Sequence, residues 1–141
     1  VLNKKLKYIE NPPRKRGIFC LKAFFIVFIF YCGNLFSQPE IKFADWKQGF
    51  GFVKKGEVVT LEYEFKNTGN SPLIISDTKV ECSCTSVEYP KQPVLPGQSQ
   101  KVIVKFDTKS TYDRQDRVVE IFSNAKNSPE KIRFKGVVLK K

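Results

Sequence analysis

The chain has 141 residues, with 25 Lys+Arg against 14 Asp+Glu, a formal charge of +11 and no His. That length suits one ordinary domain, and the missing His excludes Ser-His-Asp and Cys-His nucleophile pairs, HExxH zinc helices and imidazole proton shuttles. A hydrophobic content of 41%, with 13 Phe, 5 Tyr and 1 Trp, excludes a disordered chain.

The charge is concentrated at the start. Residues 1–37 carry Lys4, Lys5, Lys7, Arg14, Lys15, Arg16 and Lys22 against Glu10 alone, leaving a balance of +5 for everything after them. These cations precede an apolar run of nine residues, Ala23 to Tyr31. A positive n-region, a short apolar h-region and a small residue at a cleavage point describe a secretory signal peptide. Leu35 and Ser37 take the −3 and −1 positions, which puts cleavage before Gln38. The run is shorter than the roughly 18 residues of a membrane span. An uncleaved anchor, counted from Ile18 to Phe36 through Lys22, is the alternative. Either reading places the remainder outside the cytoplasm, periplasmic or secreted. Arg14-Lys15-Arg16 is then a sorting element, so no nucleic-acid partner is expected. There is no Met, so Val1 reads as an alternative start or initiation lies further along.

From Gln38 onward the pattern is that of short strands. Ile41-Lys42-Phe43 and Phe50 to Val53 come first, followed by Val59, Leu61, Tyr63 and Phe65 alternating with polar residues. Asn67-Thr68-Gly69-Asn70-Ser71-Pro72 is a dense cluster of turn formers. Leu73 to Ser76 is a short apolar piece, and Val80, Cys82 and Cys84 continue a period of two toward Val87 and Tyr89. Pro90 to Gly97 reads as a loop. Val102, Val104 and Phe106 alternate next, then Thr108 to Asp116 is a polar connection. Val119 and Ile121 form another strand, Asn124 to Pro129 a turn, and Ile132, Phe134, Gly136 and Val138 the last strand.

No helical period of 3.6 recurs after Gln38. About seven strands in roughly 100 residues predict an all-β, Ig-like β-sandwich over residues 38–141, preceded by the signal or hydrophobic helix of residues 1–37. Trp46 lies ahead of the second hydrophobic strand, where it is not the pin residue of an antibody domain, and is read as structural, with a surface ligand contact as the alternative.

The run Phe65-Lys66-Asn67-Thr68-Gly69-Asn70-Ser71-Pro72-Leu73-Ile74-Ile75 resembles a stretch of extracytoplasmic bacterial Ig-like domains related to the Hydin and major-sperm-protein group. Cys82-Ser83-Cys84-Thr85 stands where the domain of unknown function 1573 family has Cys-Gly-Cys-Thr. Tyr89-Pro90-Lys91, Pro96-Gly97, Val104 to Asp107, Ser123-Asn124 and Gly136-Val137-Val138 follow in that family's order. The resemblance covers residues 41–139. It implies a secreted or periplasmic Ig-like sandwich with no established activity, whose relatives by fold are interaction and scaffolding modules.

Cys82 and Cys84 are the one constellation with chemical potential. On a regular strand they share a face with Val80, with Cα atoms about 6.6–6.8 Å apart, at the outer limit for a disulfide. They read as structural thiols or a local disulfide, with a redox pair or a Cu(I) site as alternatives. Cys20 and Cys32 fall in the signal segment and stay out of this pairing. Asp107, Asp113 and Asp116 lack EF-hand spacing and read as a solvated loop. Glu62 and Glu64 read as strand-surface charges, and Gly49-Phe50-Gly51 is too short to cradle phosphate. No catalytic residue, metal site or cofactor is expected, and the domain is read as binding a protein partner in the cell envelope or serving as a structural component there. The thiol pair carries the alternative of a redox or Cu(I)-binding protein.

Overall fold

The computed structural model describes residues 37–140. The segment read as a signal or anchor, with Cys20 and Cys32, lies outside the described residues. Eight strands follow: β1 (Ile41–Phe43), β2 (Lys47–Lys54), β3 (Val58–Asn67), β4 (Ile75–Val80), β5 (Thr85–Glu88), β6 (Ser99–Asp107), β7 (Asp113–Ser123) and β8 (Glu130–Leu139). No helix occurs among the described residues.

The strands form two four-stranded sheets, β1-β3-β6-β5 and β2-β8-β7-β4. This is the Ig-like arrangement of four strands facing three, with the first strand divided so that β1 joins one sheet and β2 the other. Ile41-Lys42-Phe43 and Phe50 to Val53, read from the sequence as separate pieces, fall in β1 and β2. All pairings are antiparallel except β2 with β8, which run parallel.

The alternation in β3 works as its sequence predicts. Val59, Leu61, Tyr63 and Phe65 are buried, and the residues between them face solvent. They meet Val102, Val104 and Phe106 of β6, and Val119, Ile121, Ile132, Phe134 and Val138 from the other sheet. An aromatic cluster fills the centre, with Phe106 and Phe134 ring centroids 5.4 Å apart and Phe50 at 5.8 Å from Phe106. Phe50 reaches the cluster through a register irregularity in β2 between Gly49 and Gly51, and Gly51 adopts φ +67°. Its ring lies against Gly136, whose position admits no Cβ without displacing it. Tyr63 ties the sheets together, its buried hydroxyl donating to the Arg133 carbonyl at 2.9 Å. Burial holds that phenol above its ordinary pKa.

Two sequence expectations are corrected. The strand through Val80 does not continue across Cys82 and Cys84, because β4 ends at Val80 and β5 starts at Thr85. Leu73 belongs to no strand; it is fully buried and bridges Val94 in the proline-rich loop. Trp46 stands 57% exposed, at the surface position its alternative reading requires, because its segment crosses between sheets at the edge of the sandwich.

Candidate functional site: two sheet crossovers and an edge groove

The chain passes between sheets at both lateral edges. At one edge Ala44-Asp45-Trp46 carries it from β1 to β2, and at the other Glu81 to Cys84 carries it from β4 to β5.

Side-chain amides hold the first edge. Asn67 is fully buried at the end of β3, and its Nδ2 donates to the carbonyls of Ser71 at 2.8 Å and Val94 at 2.9 Å. Its Oδ1 accepts from the Gly69 amide at 3.0 Å. Every polar atom of this amide is thus engaged, which a buried Asn requires. Gly69 then passes so close to the backbone of Gln38, Pro39 and Glu40 that a Cβ there would meet the Glu40 amide at 2.5 Å and the Pro39 Cα at 2.6 Å. Thr68 and Asn70 donate to the carbonyls of Glu40 and Gln38 at 2.9 and 3.3 Å. The Asn-Thr-Gly sequence therefore docks the incoming chain, a role beyond its reading as turn formers.

Asn127 finishes this edge. In the β1–β3 register the peptide groups of Ile41 point away from β3. Asn127 accepts from the Ile41 amide at 3.2 Å and donates to its carbonyl at 2.7 Å, as a neighbouring strand would. Only the peptide groups of Phe43 remain on that outer edge. Beside them lies a groove of about 680 Å³ lined by Phe43, Trp46, Lys42, Pro129, Glu130 and Lys131, among others. The Trp46 carbonyl accepts from the Arg133 amide at 2.7 Å, which fixes the crossover on β8 while the indole stays outside. Arg133 is held in turn by Asp116, whose oxygens accept from its guanidinium at 2.6 Å each, with Lys135 at 3.0 Å. These cations hold the Asp116 carboxyl well below the usual carboxylate range.

A covalent bond closes the turn at the second edge. Cys82 and Cys84 are joined as a disulfide with Cα atoms 5.2 Å apart, closer than on a regular strand because the pair sits in a turn. The Thr85 amide donates to the Cys82 carbonyl at 3.2 Å, closing that turn, and the Asp107 amide donates to the Cys84 carbonyl at 2.8 Å. Both cysteines are partly exposed, and Cys84 packs against the core. Ser83, where the family pattern has Gly, does not need positive φ; the non-glycine residue with that conformation is Asp113. As a disulfide the pair offers no thiolate to a soft metal.

The remaining sequence candidates are dispersed. Glu62 pairs with Lys101 at 2.8 Å on the outer face, and Asp107 with Lys109 at 3.5 Å. Asp116 serves the β7–β8 surface, so the three aspartates do not converge. Among the described residues no group of three or more acidic or Cys side chains is placed to hold a metal ion.

Residues 41–138, which hold the split first strand, the Asn-Thr-Gly dock and the Cys-Ser-Cys crossover, match one family model, described as a protein of unknown function (DUF1573). The chain belongs to the DUF1573 family. No curated protein matches its sequence. Among solved structures, a protein of unknown function from Porphyromonas gingivalis W83 superposes with TM-score 0.63 at 16% identity over 72% of this chain and 48% of that one. This DUF1573 chain thus spans about half the length of that relative. A PapD-like domain of human CEP192 superposes with TM-score 0.58 at 10% identity, over 74% of this chain and 88% of that domain. The Vibrio cholerae protease VesB gives TM-score 0.55 at 17% identity, over 82% of this chain and 36% of the protease. Likeness at these identities establishes the fold alone, an Ig-like sandwich.

Proposed function

We propose that this DUF1573 domain is an extracytoplasmic, non-catalytic binding module that engages a protein of the cell envelope through the groove beside Trp46. The observation that carries the reading is an exposed tryptophan beside an edge strand that is capped at Ile41 and open at Phe43. Trp is strongly enriched among residues that dominate binding energy, because it buries a large area with few rotatable bonds. The groove mixes Lys42 and Lys131 with Glu130, a polar rim around an aromatic anchor. Two features support the compartment: the basic n-region with its apolar run, and a disulfide, which persists in oxidising surroundings.

The test is site-specific photocrosslinking in cells, with the reactive group at position 46 and, as a control, at the exposed Thr60 on β3. One discrete adduct with an envelope protein from position 46, absent from position 60, is expected. Trp46→Ala should weaken binding of that partner about 30-fold, roughly 2 kcal/mol for a central aromatic anchor. Equal labelling from both positions overturns the groove as the binding surface. Protease accessibility of the domain in spheroplasts, against protection in the cytoplasm, checks the compartment.

A further inference from the structure

We infer that the Cys82–Cys84 disulfide is an exchange site that accepts electrons from a protein dithiol while the sandwich around it stays folded. Four observations converge on it. Both cysteines lie outside the strands, in a turn flanked by the exposed Glu81 and Ser83. The bond joins residues at a sequence separation of 2, so cutting it releases very little chain. The strands on either side are fastened without it: Val80 pairs with Val119, Thr85 pairs with Phe106, and the Cys84 carbonyl accepts from Asp107 at 2.8 Å. Tyr89 adds a further tie between these edges by donating to the Ser76 carbonyl at 3.2 Å. Lastly, Thr85 is buried, and its hydroxyl oxygen has the two sulfurs as neighbours, Cys82 Sγ at 3.7 Å and Cys84 Sγ at 4.0 Å. A hydroxyl so placed can donate to whichever sulfur becomes a thiolate.

The exchange balances as follows. A thiolate of the partner dithiol bonds to Cys82 Sγ, the less core-packed sulfur. The Sγ–Sγ bond breaks and its electron pair goes to Cys84 Sγ, where the Thr85 hydroxyl donates to it before it takes a proton from solvent. The partner's second thiol then loses its proton to solvent and attacks its own sulfur in the mixed disulfide, expelling Cys82 as a thiolate that is protonated in turn. The domain gains two electrons and two protons, and the partner leaves as a disulfide. This activity is separate from the Trp46 groove, which lies at the opposite edge.

The experiment treats the natively purified full chain with dithiothreitol, without denaturant, and reads alkylation at Cys82 and Cys84 by peptide mapping while the β-sheet circular dichroism is followed. Complete alkylation of both residues with an unchanged sheet signal is expected. Thr85→Val should slow reduction about tenfold, the worth of one hydrogen bond to a charged group, and Thr85→Ser should restore the rate. A thioredoxin-type dithiol protein whose second cysteine is replaced by serine, supplied reduced as probe to the wild-type chain, should be trapped as a mixed disulfide at Cys82, with Cys84 released as a thiol. Reduction that occurs only with loss of the sheet signal overturns the inference, as does a Thr85→Val rate equal to wild type. Neither result bears on crosslinking from position 46, so the two readings fail independently.

Discussion

The two edges of the sandwich solve the same problem by different means. At both, a few residues leave one sheet and enter the other, which strands peptide groups that have lost their ladder partners. The β1–β2 edge recruits distant amides, Asn67 and Asn127, so its order depends on the whole fold being assembled. The β4–β5 edge uses a bond between near neighbours that forms without the rest of the structure. The first should therefore be cooperative with global stability, and the second nearly independent of it.

The largest effect should come from Asn67→Ala, which leaves the Val94 and Ser71 carbonyls without their donor. A loss of about 3 kcal/mol is expected from unsatisfied buried groups, read as a lower urea midpoint. Gly136→Ala, which drives a methyl into the Phe50 ring, should cost about 2 kcal/mol by overpacking and loosen β2 from β8. The double substitution Cys82→Ser and Cys84→Ser should cost less than either, at most about 1.6 kcal/mol for so short a closed loop. A cost above that of Asn67→Ala would dissolve the contrast between the edges. Asn127→Ala should change amide exchange more than stability, exposing the Ile41 amide and opening β1 to strand pairing that light scattering would detect as association.

The smallest effect concerns pH. The Asp116 carboxyl is depressed in the folded state by Arg133 first, then Lys135. A depressed folded pKa contributes stability above the unfolded carboxylate value, near pH 4, and that contribution is lost as pH falls through the folded one. Wild type should thus lose stability below about pH 4 more steeply than Asp116→Asn, and salt should shrink the difference because the pair is exposed.

Much of this architecture is legible in the residues. The alternation of Val59, Leu61, Tyr63 and Phe65 specifies a strand with one buried face, since shifting by one residue would expose all four. The two pieces of the first strand, Ile41 to Phe43 and Phe50 to Val53, are legible, but their membership of different sheets is not, because the parallel pairing with β8 is a long-range event. Cys82 and Cys84 mislead because Val80-x-Cys82-x-Cys84 keeps a period of two straight through a turn. Asn67 reads as a turn former because its neighbours Thr68, Gly69 and Asn70 are turn formers, while the contact that matters lies in the proline-rich loop at Val94. Trp46 is the same difficulty at the candidate site: nothing local distinguishes a tryptophan inside the core from one standing at its rim.

The parallel pairing of β2 with β8 has a mechanical consequence. The described chain begins at Ser37 beside Ser71, and β8 leaves at the far pole, where Lys55 donates to the Leu139 carbonyl at 3.2 Å. Tension applied between those two points pulls β2 and β8 in opposite directions along their own axes. The load then falls on the seven paired positions from Lys47/Arg133 to Lys54/Leu139 together, in shear, rather than on one bond after another as in unzipping. A domain strung this way resists stretching far better than its thermodynamic stability alone would indicate, since forced unfolding answers to the height of the barrier.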